Sequence, residues 1–444
     1  MNREIFTSLL SQHQYQAVRS ILSVMNAVDI ASLLSELDNK ELVFAFRLIQ
    51  KEKAAEVFAN MNNSMQTYLV ELFSEKELRE LLEDLYMDDT VDMLEELPAN
   101  LVTRILETVS QDDRETINRL LNYPEDTAGS IMTTEYVELN LAWRVKEAMA
   151  HIKEVGIHKE TIYTCYITEK KKLIGIVTAK ELLVADDDML IQELMEKEII
   201  TVNTNTDKEK VAQLFRKYDF LALPVLDQEG LLVGIVTFDD AMDVLIDEDT
   251  EDITKMAAMS PNEKSYFETS ILGHAKSRIP WLLILMFSAA ITGTIIAKYE
   301  NAFAAVPILV SFIPMLMDTG GNCGSQSSTL VIRGIALDEI QFHDIFRVIV
   351  KEFGVAMIVG FVLAIANGLR IMIMYQNMAL SVVVALSLMA TIVISKMIGC
   401  SLPLLAKKVG LDPALMASPL ITTLVDTCSI LIYFNVAVHI MVFS

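Results

Sequence analysis

The residues with most chemistry to offer are carboxylates in three settings. Asp426 stands alone in the apolar run from Leu420 to Tyr433. A lone Asp near the middle of a hydrocarbon slab costs about 2.5–3.5 kcal/mol on insertion scales, so it marks an ion path unless a neighbouring helix hydrogen-bonds it as a structural group. The second setting is Asp239 to Asp252, with eight carboxylates in fourteen residues and no basic residue. Like charges three and four residues apart destabilise a helix, so something must compensate them. All-oxygen clusters suit Mg2+ or Ca2+, although the spacing lacks the central Gly of an EF-hand loop, and a solvated acidic connector is the plainer alternative. The third setting is Asp88, Asp89 and Asp92, of which two or three should share one face, either as a divalent-ion site or as a solvated surface.

These groups need elements to hold them, and the composition is divided accordingly. The chain has 444 residues, 52% of them apolar, and a net charge of −24. Before Lys276 there are 52 acidic and 26 basic residues; from Lys276 onward there are 8 and 10. An acidic soluble part is thus joined to a nearly neutral apolar part. So large a negative excess argues against nucleic acid and anionic lipid headgroups as partners and favours cations. The four cysteines, Cys165, Cys323, Cys400 and Cys428, have no zinc-binding spacing and read as small apolar residues in a reducing compartment. No apolar stretch of signal-peptide length follows Met1, so the first part is expected in the cytoplasm.

Residues 1–127 read as successive short helices, with variants of one phrase at Leu33 to Leu37, Leu81 to Leu85 and Met93 to Leu97. Such self-similarity predicts an acidic α-solenoid. Beyond Tyr123 the pattern changes to a tandem repeat. Leu173-Ile174-Gly175-Ile176-Val177-Thr178 recurs as Leu232-Val233-Gly234-Ile235-Val236-Thr237, each followed by an acidic helix start. Met-led strands over Met132 to Leu139 and Met195 to Val202, then helices over Val145 to Glu154 and Lys208 to Tyr218, complete two α+β units, 128–192 and 193–252. A connecting helix is expected over 253–275, beginning near 239, followed by a five-helix membrane domain, 276–444. The spans are Ile279 to Ala297, Ala302 to Met317, Val348 to Ile371, Met378 to Cys400 and Pro413 to Val442. Lys276, Arg278, Arg333, Arg347, Lys351, Lys407 and Lys408 then fall on the cytoplasmic side, and Lys298 and Arg370 outside, which places the C-terminus outside. Between the second and third spans, Pro314 to Thr329 holds three glycines, two amides and several hydroxyls, as a broken helix or a close helix contact beside a polar path requires; a plain loop is the alternative.

The tandem units resemble a pair of cystathionine-β-synthase (CBS) domains. That resemblance implies ligand sensing, with adenine nucleotide as a candidate ligand in the cleft: Thr237 and Asp240 fit the ribose-binding pattern, whereas Thr178 is followed by Glu181. The order of parts over essentially the whole chain resembles the MgtE family of magnesium channels and transporters. Local phrases agree: Tyr123 to Gly129, Met132 to Tyr136, Gly320-Gly321-Asn322 with Gly324 and Gln326, and Leu411 to Ala414 leading to Asp426.

The family resemblance implies a multi-pass plasma-membrane homodimer with a pore between copies, lined by the second and fifth spans. It makes Asp426 the selectivity carboxylate, contributed twice, with Asn322 and Thr422 as further pore-lining candidates. Mg2+ dehydrates reluctantly, so paired carboxylates could hold it through its water shell. The acidic connector corresponds to a plug helix, closed when Mg2+ bridges the cytosolic surfaces. Regulatory candidates are Asp88, Asp89, Asp92, Asp239, Asp243 and Asp247. Three positions depart from the family pattern: Asp318, Asp338 where Gly is common, and Ser429 where Gly is usual.

Function is therefore expected to be Mg2+ uptake, with other divalent cations as candidate cargo, under control of the ion itself. The competing reading is a non-conducting CBS-containing membrane sensor of Mg2+ or adenine nucleotide. The glycine-rich segment and Asp426 favour transport, since an anchor needs neither. An enzyme is not expected: the chain has six scattered histidines and lacks a His-Glu-x-x-His motif, a phosphate loop and a serine-nucleophile elbow.

Overall fold

A computed structural model of the chain describes residues 3–262, 266–267, 269–299, 306–416 and 418–442. The protein is mainly helical and divides into two compact units, Met1–Ile246 and Asp247–Ser444.

The first unit begins with a succession of short helices: α1 (Arg3–Ser11), α2 (Tyr15–Val24), α3 (Ala27–Ser35), α4 (Asn39–Phe46), α5 (Lys51–Ala59), α6 (Asn63–Leu72), α7 (Glu75–Leu82), α8 (Met87–Glu96), α9 (Ala99–Thr108) and α10 (Gln111–Leu120). Their starts are written in the sequence. Asn26, Asp38, Asn62, Ser74 and Ser110 each accept a first-turn backbone N–H, and Ser74 with Glu77 forms a reciprocal capping box. Each such cap is worth about 1 kcal/mol. Helices too short to persist alone are held by tertiary burial of one apolar stripe. Here α3 packs on α5, α5 on α7 and α7 on α9, while α6 packs on α8 and α8 on α10. That alternate-neighbour stacking is the expected solenoid, with Phe6, Ile30, Phe58, Leu69, Leu78 and Ile105 fully buried along its axis.

The repeat folds into two like-built sheets. In the first, β1 (Val137–Asn140) runs parallel to β2 (Thr164–Glu169), which pairs antiparallel with β3 (Lys172–Thr178); in the second, β4 (Val202–Asn203), β5 (Ala222–Leu226) and β6 (Leu232–Thr237) repeat the pattern. The crossovers are α11 (Val145–Val155) and α14 (Lys208–Tyr218). The strands are shorter than the Met-led runs suggest, because Met132 and Met195 serve the opposite copy. Thr133 bridges Ile235 of β6, and Glu196 bridges Ile176 of β3. A Cβ on Gly234 would lie 2.7 Å from Met132 Sδ, and one on Gly175 would lie 2.5 Å from Met195 Sδ. The repeated Gly and the repeated Met are thus two halves of one reciprocal contact.

The helix α15 (Phe238–Met256) leaves β6 and carries the acidic run. It starts where the connecting helix was expected but stops at Met256, so the run 253–275 is not one helix. Ala258 adopts a left-handed backbone, φ +53°, which ends a helix, and Pro261 follows.

The second unit then contains α16 (Ile271–Lys298), α17 (Ile313–Ala336), α18 (Ile345–Tyr375), α19 (Met378–Lys408) and α20 (Ser418–Ala437). Among the described residues, four stretches are long and apolar enough to cross a membrane, 271–298, 342–375, 378–408 and 413–441. The helix α17 is excluded from that set by its Gly, Ser and amide content, and the start of the expected span Ala302 to Met317 lies outside the described residues. Apolar side chains such as Leu282, Phe287, Ile358 and Phe361 are exposed on α16 and α18, as a lipid-facing surface requires.

The glycine-rich segment is neither a loop nor a break, since α17 passes through it unbroken. The glycines permit close approach instead. A Cβ on Gly321 would lie 2.9 Å from Thr422 Cγ2, and one on Gly399 of α19 would collide with the Gly324 carbonyl. Asp338 has φ +56° just past the end of α17, a conformation that suits Gly and that Asp tolerates. Ser429 is buried and fits because Gly320 offers it no Cβ: one built there would stand 3.0 Å from Ser429 Oγ.

Candidate functional site

Acidic residues of the first unit gather from two helices and two strand-preceding segments. Asp88, Asp89 and Asp92 lie on α8, Asp239, Asp240 and Asp243 on α15, and Glu135 and Glu160 on the segments before β1 and β2. The gathering begins with a backbone need. The residue preceding α8 is Tyr86, whose side chain caps nothing. Glu135 takes over: its Oε2 accepts from Met87 N at 3.0 Å and from Thr133 Oγ1 at 3.0 Å. A carboxylate at a helix N-terminus is favourable in itself, and here it joins the segment before β1 to the solenoid.

Around that cap the carboxylates crowd one another. Burial, with Asp240, Asp89 and Glu160 nearby, pushes the Asp88 carboxyl well above the usual range. Burial, helped by Glu135 and Asp239, pushes Asp89 up to about 6. Burial and then Asp240 and Glu95 push Asp92 up to about 7. Glu160 rises to about 8 through burial and the charges of Asp239 and Asp240, and its Oε2 is buried without a hydrogen-bond partner. Each group is held above its solution value because desolvation and like charge both disfavour the anion. Such a cluster keeps protons to higher pH than isolated carboxylates do, and a cation relieves the same repulsion.

Among the described residues, no three of these side chains come close enough to ligate one bare ion directly. Carboxylates that gather without converging fit a hydrated Mg2+, which keeps several waters and binds through one or two carboxylates. The structure brings five of the six expected regulatory residues into this region. Asp247, one turn beyond Asp243 on α15, is exposed and belongs to the second unit. Glu135 and Glu160 escape a reading of charge runs because each is a single acid in its own segment.

The expected nucleotide pair is also engaged here. Thr237 is buried, its hydroxyl donates to Asp240 Oδ2 at 2.6 Å, and Asp240 lies within electrostatic reach of Asp88 and Asp92.

In the second unit, Asp318, Asn322, Gln326 and Thr329 follow one another at helical spacing along α17. Asn322, Ser325, Gln326, Thr329 and Leu330 line a groove. On α20, Thr422 and Asp426 are one turn apart, and Asp426 is half-buried within electrostatic reach of Asp318. Thr422 packs on Gly321 and donates its hydroxyl to Pro419 O at 2.9 Å, so its methyl holds the α17 contact while its oxygen serves the backbone. Thr427 meets Thr292 of α16 hydroxyl to hydroxyl at 2.9 Å. The result is a polar stripe on two adjoining apolar-flanked helices, with carboxylates on both.

Comparison with known proteins identifies the parts of the chain that carry these residues. Residues 313–436 match the MgtE divalent cation transporter model, 25–126 the MgtE intracellular N domain, and 128–188 and 191–247 the CBS domain. The magnesium transporter MgtE of Thermus thermophilus is 36% identical over 96% of this chain and 96% of its own, and that of Bacillus subtilis 33% over 97% and 95%. Among solved structures, the cytosolic domain of the Mg2+ channel MgtE in complex with ATP is 34% identical, with TM-score 0.52, covering 55% of this chain and all of that one. The soluble part of a magnesium transporter is 30% identical with the same TM-score, 0.52. A chain that joins an acid-lined solenoid and CBS pair to an apolar unit with a half-buried Asp thus has relatives over nearly its full length, and it belongs to the MgtE family of divalent cation transporters.

Proposed function

We propose that the protein carries Mg2+ across the plasma membrane through a path formed by two copies, and that cytosolic Mg2+ closes it. The observation that carries this is Asp426, half-buried in an apolar helix and facing the polar stripe of α17. Two copies of Asp426 around a dimer axis hold a hydrated Mg2+ by its water shell, with Asn322 beside them, and Asp318 adds negative charge at the approach. The membrane part crosses five times, with α17 and α20 lining the path, the N-terminus in the cytoplasm and the C-terminus outside.

Control rests on the acidic cluster. Without Mg2+ the carboxylates of α8, α15 and the CBS segments repel one another; Mg2+ takes the place of their protons and draws the surfaces together. Asp88, Asp89, Asp92, Asp239 and Asp243 hold the ion, with Glu135 and Glu160 added to the set. Asp247 takes part from the continuation of α15, which acts as the plug. Linkage requires the closed form to bind Mg2+ more tightly than the open form. Moving the gate from one per cent to ninety-nine per cent closed needs a preference of roughly 10⁴, about 5.5 kcal/mol.

An adenine nucleotide in the CBS cleft is a second ligand. The relative solved with ATP favours it, and Thr237 and Asp240 are the residues for its ribose. The Thr237 to Asp240 hydrogen bond must then be exchanged for one to the sugar, so Asp240→Asn should weaken nucleotide binding.

The test is Mg2+ uptake in cells lacking their own Mg2+ transport, comparing the protein with Asp426→Ala. Loss of uptake at equal membrane expression is expected. Rescue by the variant equal to the unmodified protein would remove Asp426 from the path, and failure of both would favour the non-conducting sensor.

A further inference from the structure

Three polar groups meet inside the second unit away from the α17 to α20 stripe. Lys396 of α19 is 4% exposed. Its Nζ donates to Ser327 Oγ of α17 at 3.0 Å and to Glu352 Oε2 of α18 at 3.3 Å. Ser327 in turn donates its proton to the same Glu352 oxygen at 2.6 Å. Glu352 and Lys396 both lie in stretches able to span a membrane. The circuit is closed, since each of the three groups is hydrogen-bonded to the other two.

Cohesion alone does not explain it. Replacing a buried ion pair by apolar side chains is often neutral or stabilising, while removing one partner costs about 3–5 kcal/mol. What a directional circuit adds is orientation. The helix α17 meets α19 and α20 closely through Gly320, Gly321 and Gly324, and its buried Leu316, Cys323, Val331 and Ile335 add apolar packing. Its directional polar anchors are Ser327, held by Lys396 and Glu352, and Ser328, which donates to Met416 O at 3.0 Å. Successive helical residues are set about 100° apart. Fixing Ser327 and Ser328 inward therefore fixes Gln326, Thr329 and Asn322 toward the groove.

We infer that Lys396 is a positioning residue for ion passage: through Ser327 and Glu352 it sets the rotation of α17 and so presents Asn322 and Gln326 to the path. It touches no ion. The inference rests on the transport reading above for its consequence, and on helix geometry for its content.

The test uses the full-length protein in membranes with Lys396→Met, Glu352→Gln and the double variant. Either single change leaves an uncompensated polar group and is expected to reduce folded protein. The double variant removes both charges and is expected to fold, as judged by its thermal midpoint and elution as one species. The deciding readout is thiol labelling of Gln326→Cys from the aqueous phase, measured over the native cysteines. In the double variant it should fall roughly threefold or more, a loss that a purely cohesive role would not produce in folded protein. Mg2+ flux per folded molecule should fall with it, with a raised half-saturating concentration. Unchanged labelling in a folded double variant overturns the inference whatever the flux. A double variant that does not fold overturns it as well, because the circuit is then cohesive. Absence of Mg2+ flux in the unmodified protein would instead overturn the transport reading and leave the labelling result standing.

Discussion

Lys255 Nζ lies 2.6 Å from Asp412 Oδ2, so the last turn of α15 is tied to the turn that leads into α20. Lys255 also pairs with Glu251 one turn back on its own helix. Burial alone would lower the ammonium pKa, but the hydrogen bonds to Asp412 and Glu251 outweigh it and the net shift is upward. Asp412 meanwhile accepts from Ala414 N at 2.8 Å, bracing the turn before α20. One basic residue thus joins the end of the acidic helix to the base of the helix carrying Asp426.

Loss of this tie should loosen the gate. A hydrogen bond to a charged group contributes about 1.5 kcal/mol or more, roughly tenfold in a two-state ratio. Lys255→Met should therefore raise Mg2+ flux at high cytosolic Mg2+ by up to roughly tenfold, with little effect when cytosolic Mg2+ is low. Asp412→Lys combined with Lys255→Asp should recover part of the closure. Flux that keeps its Mg2+ dependence in Lys255→Met would show that the tie is incidental.

Asp318 should tune affinity rather than permit passage. At water-like dielectric a carboxylate several Å from a divalent ion contributes about 1 kcal/mol, roughly fivefold in binding. Asp318→Gly is expected to raise the half-saturating Mg2+ concentration by about that factor while leaving the maximal rate nearly unchanged. A fall in maximal rate at unchanged affinity would contradict the role. High salt should shrink the difference, because the group is exposed.

The acidic cluster predicts a pH dependence of known sign. Asp89, Asp92 and Glu160 are raised to about 6, 7 and 8 by burial first and like charges second. Carboxyls raised in the assembled form bind more protons there than when the surfaces separate. Their contribution is present in full below about 4, the separated-state value, and is lost as pH rises through about 8. Without divalent ions, cleavage by protease between α10 and β1 should therefore quicken from pH 5.5 to 8.5. Mg2+ should protect strongly at pH 8.5 and weakly at pH 5.5, since it competes with protons for the same oxygens. Protection independent of pH would place the regulatory ion elsewhere.

Much of this organisation is legible before any coordinates, because it rests on local rules. Helix caps such as Asp38 and Ser74, the apolar stripes of α1 to α10 and the two Gly-strand phrases are short-range patterns, and each formed the expected element. The end of α15 was less legible. Its acidic run continues the pattern of a helix, and only the left-handed backbone at Ala258 before Pro261 stops it. The glycine-rich segment reads equally as a break or a close contact, since glycine permits either. Packing of Gly324 against Gly399 decides for the contact.

By itself the sequence determined the order of parts, the CBS repeat and the exceptional status of Asp426, because hydropathy, periodicity and the cost of an intramembrane charge are properties of neighbouring residues. Only the tertiary structure decided which charges meet. Glu135 reaches α8 across 48 residues, and Lys396 reaches Ser327 across 69. Desolvation and Coulomb energy depend on separation in space, and separation along the chain carries no record of it.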